Sequence, residues 1–315
     1  MRKKRIPPLL DSSFRLILGG LLCFLLLEYT SPSWQQDLAS TTFSIPRALL
    51  ALAVVALASA VMALRWKVVA GAIHGSNYRF STTFRSFVLA RFLGFFVSPV
   101  AMDLIGRRLG MKLQSQTSST TSILVQIVIE RWFDVLLPAV LIASFAFFDV
   151  PAGDSILWHA SLACIIGTTV GLLTLRPIIL TLQRLQFRFL RTTISSPPPQ
   201  VTWSTLGAIA ALGALRWMTI IWHTDTIAAA FGLHLNAEAL TLGTATSQLA
   251  GVIAITPGGL GIQEAGWLIG LKNAATSTQE GSLIAIVQRI GAAVCFAILA
   301  GTVWFFSPSR LRKND

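Results

Sequence analysis

The chain has 315 residues, of which 54% are hydrophobic and only 12% charged, with a formal net charge of +12. A soluble domain carries roughly 25% charged residues, so a water-soluble globular fold is excluded. The positive charge would suit nucleic acid, but no soluble basic domain exists to carry it, and nucleic-acid binding is set aside. Cys23, Cys164 and Cys295 all lie inside apolar runs and read as small core hydrophobes. The four histidines are scattered without ligand spacing, and no Gly-rich phosphate loop or Gly-x-Ser-x-Gly elbow occurs. No catalytic residue, metal or cofactor is therefore expected.

Taken in order, Arg2 to Arg5 lead into an apolar segment with no small-residue cleavage site, which reads as a first span over about 14–30. The loop 31–46 holds Asp37 and no cation. A second span covers about 47–66, and the loop after it is expected to carry Arg65, Lys67, Arg79 and Arg85. The stretch Phe84 to Met102 has a charge-free run of only eleven residues, Phe92 to Met102. That is short of the roughly 20 needed to cross a bilayer. It is expected to form a re-entrant hairpin bent at Ser98-Pro99, entering from and returning to the cytoplasm. Thr117 to Phe148 predicts a long span containing Glu130-Arg131-Trp132-Phe133-Asp134, followed by an acidic outer turn, Asp149 to Asp154. A span over 155–175 returns. Arg184, Arg188 and Arg191 then share one helical face, which predicts an interfacial helix on the cytoplasmic leaflet, ended by Ser195 to Pro199.

A span over 201–230 contains Arg216. The apolar segment 239–271 is interrupted by Thr256-Pro257-Gly258-Gly259-Leu260-Gly261, with Glu264 just beyond. Proline and clustered glycines weaken a helix interior, and broken backbone survives in a bilayer only where protein buries it or a cavity adjoins it. This segment predicts a second re-entrant hairpin, on the outer face, and 282–306 the last span. With this topology nineteen of the 25 cations face the cytoplasm, as the positive-inside rule requires. The fold class is thus all-α: a polytopic membrane bundle of about six spans plus two hairpins, with both termini cytoplasmic.

The order span, span, hairpin, span occurs twice, starting from opposite faces. Residues 1–315 then form a single transmembrane domain, made of halves of about 1–150 and 151–315 in an inverted-topology repeat. Pro99 to Arg131 and Pro257 to Arg289 are both 32 positions apart. Ala63-Leu64-Arg65-Trp66 also recurs as Ala214-Leu215-Arg216-Trp217, at another offset, a four-residue match that chance can supply.

Arg131 and Arg289 fall near the middle of their spans, on either side of the midplane and roughly 10 Å apart in depth at 1.5 Å per residue. A buried arginine is costly unless paired. Two readings stand. Each could brace the fold by pairing with Glu130, Asp134, Asp103 or Glu264. Each could also hold an anionic lipid headgroup through bidentate contacts. The half-helix after Pro257 offers free N–H groups to an anion, although Gly258, Gly259 and Gly261 could equally serve close packing. Arg91 and Arg216 are expected to snorkel or brace.

Three stretches together carry a family resemblance: Phe95 to Pro99 through Asp103 and Arg107; Glu130-Arg131-Trp132-Phe133-Asp134; and Thr256 to Glu264 followed by Arg289. The chain resembles the lysylphosphatidylglycerol synthase transmembrane-domain family, a flippase-like membrane module of prokaryotes. The resemblance implies a cytoplasmic-membrane protein that moves lipid between leaflets. It also implies site residues at Arg131, Arg289, Glu264, Asp103, Glu130, Asp134, Pro99, Pro257, Gly258, Gly259 and Gly261. The soluble synthase domain of bifunctional members is not seen in this sequence, so an enzyme is not expected. The expected cargo is an anionic or aminoacylated phospholipid, or a polyprenyl-phosphate-linked lipid; a second copy or lipid-synthesis enzymes are the candidate protein partners. A membrane-embedded glycosyl- or acyltransferase, and a scaffold for a lipid-synthesis complex, are the rival readings.

Overall fold

A computed structural model describes residues 34–74, 78–97, 99–113, 120–148, 155–190, 202–252, 256–273 and 278–306, with six further positions of the first apolar segment. Most of the expected first span lies outside the described residues. So do the N-terminal cations, the turn 149–154, the proline run, the basic tail and the bend residue Ser98. The described residues are helical throughout, joined by short turns. The helices are α1 (Trp34–Ala39), α2 (Ile45–His74), α3 (Phe80–Gly94), α4 (Pro99–Lys112), α5 (Thr120–Phe147), α6 (Ser155–Leu190), α7 (Trp203–Ala230), α8 (Ala237–Val252), α9 (Ile262–Asn273) and α10 (Thr278–Phe305), with a 3-10 turn at Pro257–Gly259.

Large apolar side chains face outward along the long helices: Leu49, Leu57 and Leu64 on α2, Ile165 and Leu173 on α6, Leu215, Met218 and Trp222 on α7, Val294 and Ile298 on α10. Charged side chains, among them Arg65, Arg107, Glu130, Asp134, Arg216 and Glu264, are buried. An apolar exterior around an ionised interior suits hydrocarbon as the solvent. Among the described residues four stretches are long and apolar enough to cross a membrane: Ile45–Ile73, Ser161–Thr181, Trp203–Ala230 and Glu280–Phe305. Helix α5 matches them in length with 28 residues, but concentrates Glu130, Arg131 and Asp134 in one turn.

Helices α2 and α7 run antiparallel at the centre. Ser44 donates its backbone N–H to Ala230 O at 2.8 Å, and Arg47 Nη1 donates to Ala229 O at 3.1 Å, joining the start of one to the end of the other. Around them several contacts fall in matched sets among the described residues: α5 packs on α8 while α10 packs on α3, and α2 touches α3 and α5 while α7 touches α8 and α10.

Helices α3 and α4 fold back on each other, as do α8 and α9. Small residues set the approach. A Cβ on Gly106 would fall 2.5 Å from Ala90 Cβ, and one on Gly110 2.7 Å from Ser86 Oγ. On the second pair, a Cβ on Gly266 would fall 2.8 Å from Ala250 Cβ, and one on Gly270 2.6 Å from Leu242 O. Both pairs therefore use glycines four residues apart to bring backbones into contact.

Three expectations need correction. Arg65 and Lys67 do not lie in a loop: α2 continues to His74, and Arg65 is completely buried. Its charge is matched inside the bundle, so the span need not end there. The span expected over 155–175 and the separate interfacial helix are one continuous helix of 36 residues, with Pro177 inside it. The return arm of the first hairpin reaches Lys112, and Arg107 on it is buried rather than exposed to the cytoplasm.

Candidate functional site

Two groups of ionised side chains occupy the interior. The first is a closed brace. Arg65 donates from Nη1 to Asp134 Oδ1 at 2.8 Å and from Nη2 to Oδ2 at 3.2 Å, and also lies 3.6 Å from Glu130. Arg107 donates from both terminal nitrogens to Glu130, at 2.9 and 2.8 Å, and its guanidinium stacks over Trp66. Two arginines and two carboxylates thus cancel. Fork-to-fork geometry of this kind satisfies both partners of a buried pair. Trp66 Nε1 adds a bond to Gln126 Oε1 at 3.0 Å, fixing α2 to α5.

The second group surrounds a cavity of about 230 Å³ between the hairpins and the central helices. Arg91, Arg131, Arg216 and Arg289 line it, with Asp103 and Glu264 as the acidic residues. Arg131 Nη2 donates to Asp103 Oδ2 at 2.7 Å. Arg289 Nε lies 3.0 Å from Glu264 Oε1, and its Nη1 donates to Gly258 O at 2.6 Å. Each of the two arginines singled out by the sequence therefore carries its own carboxylate at the rim of one cavity.

Arg216 and Arg91 are placed differently. Arg216 Nη1 lies 3.1 Å from Asp134, a carboxylate already held by Arg65, and its Nη2 reaches Gln248 Oε1 at 3.3 Å. The ion-pair distance is short, but the alignment falls outside hydrogen-bond geometry, and Arg216 Nε and Nη1 are buried without an accepting partner. Arg91 packs its guanidinium over the Phe87 ring, faces the charge of Asp103 and, among the described residues, makes no direct ion pair. Further unpartnered buried polar atoms belong to cavity residues: Ser59 Oγ, Thr244 Oγ1, His223 Nε2 and Arg289 Nη2. Buried polar atoms normally find partners, so their concentration here marks a place for polar contents.

The hairpin tips meet at this cavity. Gly258 donates its N–H to Val97 O at 3.2 Å, and a Cβ on it would lie 3.0 Å from Phe95 O. Its φ of +58° is the left-handed region that glycine adopts without strain. The α9 N-terminus is already occupied: Gly261 N–H donates to Glu264 Oε2 at 2.7 Å, a side chain capping its own helix. The expected supply of free N–H groups for an anion is to that extent used by the chain itself.

Of the residues read from the sequence, Arg131, Arg289, Asp103, Glu264 and Gly258 come together around the cavity. Gly259 and Gly261 shape the turn with positive φ, Pro257 starts it, and Pro99 starts α4. Glu130 and Asp134 do not line the cavity; they belong to the brace behind it. Arg91 and Arg216 line the cavity, and Arg216 also braces against Asp134, one of the two roles expected of it. The recurring Ala-Leu-Arg-Trp was a usable signal, because its two arginines, Arg65 and Arg216, converge on Asp134.

The fold and site define a helical integral membrane protein with a cavity lined by ionised side chains. The family model for the lysylphosphatidylglycerol synthase TM region matches residues 12–306, and the chain belongs to that family. Neither the curated proteins nor the solved structures compared give a match.

Proposed function

We propose that the protein is a lipid flippase or transporter of a prokaryotic cytoplasmic membrane. It moves a lipid with a phosphate-bearing head between leaflets and is not an enzyme. In this reading the two halves, about 1–150 and 151–315, are an inverted repeat of six spans and two re-entrant hairpins, with cytoplasmic termini. The antiparallel α2–α7 pair and the matched contacts of α5 with α8 and α10 with α3 support it, since a two-fold axis in the membrane plane exchanges those elements.

The observation that carries the proposal is the pair of arginine–carboxylate couples, Arg131–Asp103 and Arg289–Glu264, at one cavity. A structural ion pair needs no cavity. A transport site needs cations that hold a headgroup and counter-ions that replace it when the site is empty. Side-chain exposures of 23% for Arg131 and 18% for Arg289 leave both accessible to a ligand, unlike the sealed Arg65.

The test is leaflet exchange of fluorescent phospholipids in proteoliposomes, read by quenching of the outer leaflet. The unaltered chain is expected to accelerate exchange of at least one anionic lipid. Arg131→Gln and Arg289→Gln are each expected to slow it by at least about tenfold, the equivalent of one lost charged contact of about 1.4 kcal/mol. Full exchange by both variants would refute the reading.

A further inference from the structure

We infer that the cargo's head is a compact lipid phosphomonoester, carrying about two negative charges and no cationic amine. This rests on the transport reading and narrows it.

The argument is a charge balance. The brace of Arg65, Arg107, Glu130 and Asp134 is neutral. The cavity lining sets four arginines against two carboxylates, an excess of two positive charges. Asp103 and Glu264 account for Arg131 and Arg289. The surplus is spread over Arg216, only 4% exposed and sharing an acid already bound by Arg65, and Arg91, which shares the charge of Asp103 with Arg131 and, among the described residues, makes no direct ion pair. The undescribed residues that adjoin the hairpin tips, 98 and 253–255, are Ser, Ile, Ala and Ile and add no charge. Uncompensated charge in a low-dielectric interior is strongly unfavourable, so the best ligand supplies what is missing. A phosphomonoester carries about −1.5 to −2 at neutral pH, with a second pKa of about 6. A phosphodiester head supplies only one negative charge, and an added lysyl group reverses its sign.

Size points the same way. A cavity of about 230 Å³ is smaller than the roughly 300–1,000 Å³ of pockets for drug-sized ligands. A phosphoryl group fits within it. The unpaired Arg216 Nε, Arg289 Nη2, and the hydroxyls of Ser59 and Thr244 offer hydrogen bonds to three phosphoryl oxygens.

The experiment uses the full chain in phosphatidylcholine nanodiscs. It is titrated with phosphatidic acid, undecaprenyl phosphate, phosphatidylglycerol or lysyl-phosphatidylglycerol, and bound lipid is counted by native mass spectrometry. At about pH 7.5 at least one of the two phosphomonoesters is expected to bind about tenfold more tightly than phosphatidylglycerol, with lysyl-phosphatidylglycerol weakest. Which monoester wins identifies the tail class. At about pH 5.5, where the monoester loses its second charge, the gap should shrink to about threefold or less. The ionisable groups facing the head are Arg91 from α3, Asp103 from α4, Arg131 from α5, Arg216 and His223 from α7, Glu264 from α9 and Arg289 from α10. Protonating His223 or either acid would make the cavity more positive and widen the gap. A narrowing therefore comes from the lipid.

The paired substitution Arg91→Gln with Arg216→Gln should lower the preference by at least about fivefold, roughly half of a charge-pair contribution at each site. The pH comparison uses the unaltered chain and does not depend on that variant folding. Equal binding of mono- and diesters, or a preference for the lysylated lipid, would each overturn the inference. If the lysylated lipid binds best and is exchanged between leaflets, transport stands and only this narrowing fails. If no lipid binds and none is exchanged, both fall.

Discussion

Asp134→Asn tests the division of the interior into a brace and a cavity. The side chain keeps its shape but loses the charge that Arg65 holds through bonds of 2.8 and 3.2 Å and that Arg216 approaches at 3.1 Å. Arg65 then has only Glu130, at 3.6 Å and already held by Arg107. Breaking a buried pair by removing one partner costs about 3–5 kcal/mol in soluble proteins. Polar contacts within membranes average lower, at about 0.6 kcal/mol each, because the membrane-inserted unfolded state finds other partners. Three weakened contacts and an uncompensated, fully buried guanidinium place the loss at about 3 kcal/mol. The assay is equilibrium unfolding by titration with a denaturing detergent, followed by circular dichroism. Adding Arg65→Gln to Asp134→Asn should recover about 1 kcal/mol or more, because the stranded charge goes too. A loss under about 1 kcal/mol for the single variant, or strict additivity of the pair, would refute the brace.

Three further outcomes are expected. Gly258→Ala forces a side chain into the left-handed region at φ +58° and 3.0 Å from Phe95 O; it should cost about 1–2 kcal/mol in the same unfolding assay. Gly259→Ala, whose Cβ would meet the flexible Gln263 side chain first, at 3.0 Å, should lie toward the lower end of that range. Glu264→Gln retains an acceptor for Gly261 N–H but removes the counter-ion of Arg289. It should tighten anionic-lipid binding several-fold, by roughly 1 kcal/mol, and slow leaflet exchange, measured with the nanodisc and proteoliposome assays together. In a cysteine-free background, Ser86→Cys with Gly110→Cys should oxidise to a disulfide, detected as the loss of two maleimide additions in intact-mass spectrometry of the denatured chain. The Gly110 Cβ position lies 3.1 Å from Ser86 Cβ, and a relaxation of a few tenths of an ångström reaches the roughly 3.5–4.5 Å that disulfides use.

The broken segments were legible because proline and glycine act locally. Ser98-Pro99 and Pro257 to Gly261 interrupt apolar runs, and the helices end and restart there. Glu264 and Asp103 were legible as acids beside those breaks, and both sit against the expected arginines. Arg65 was not legible. Hydropathy treats an arginine at the end of an apolar run as a boundary, and only the partners contributed by α5, far along the chain, permit it to be sealed inside. Arg91 and Arg216 were undervalued for a related reason. Whether a cation snorkels or turns inward depends on the rotation of its helix, which α3 and α7 take from their neighbours and not from their own sequences. The continuation of α6 past residue 175 was masked by Pro177, normally a helix boundary, which this 36-residue helix accommodates.

One residue at the second hairpin tip has two attachments. Its N–H holds Val97 of the other hairpin, and the Gly258 carbonyl receives Arg289. A phosphoryl group that draws Arg289 toward itself removes the carbonyl's partner and loosens the residue that fastens the hairpins together. On the proposed transport reading, ligand arrival and unlatching would then be a single event, and an empty protein would stay shut, protecting the membrane against leakage.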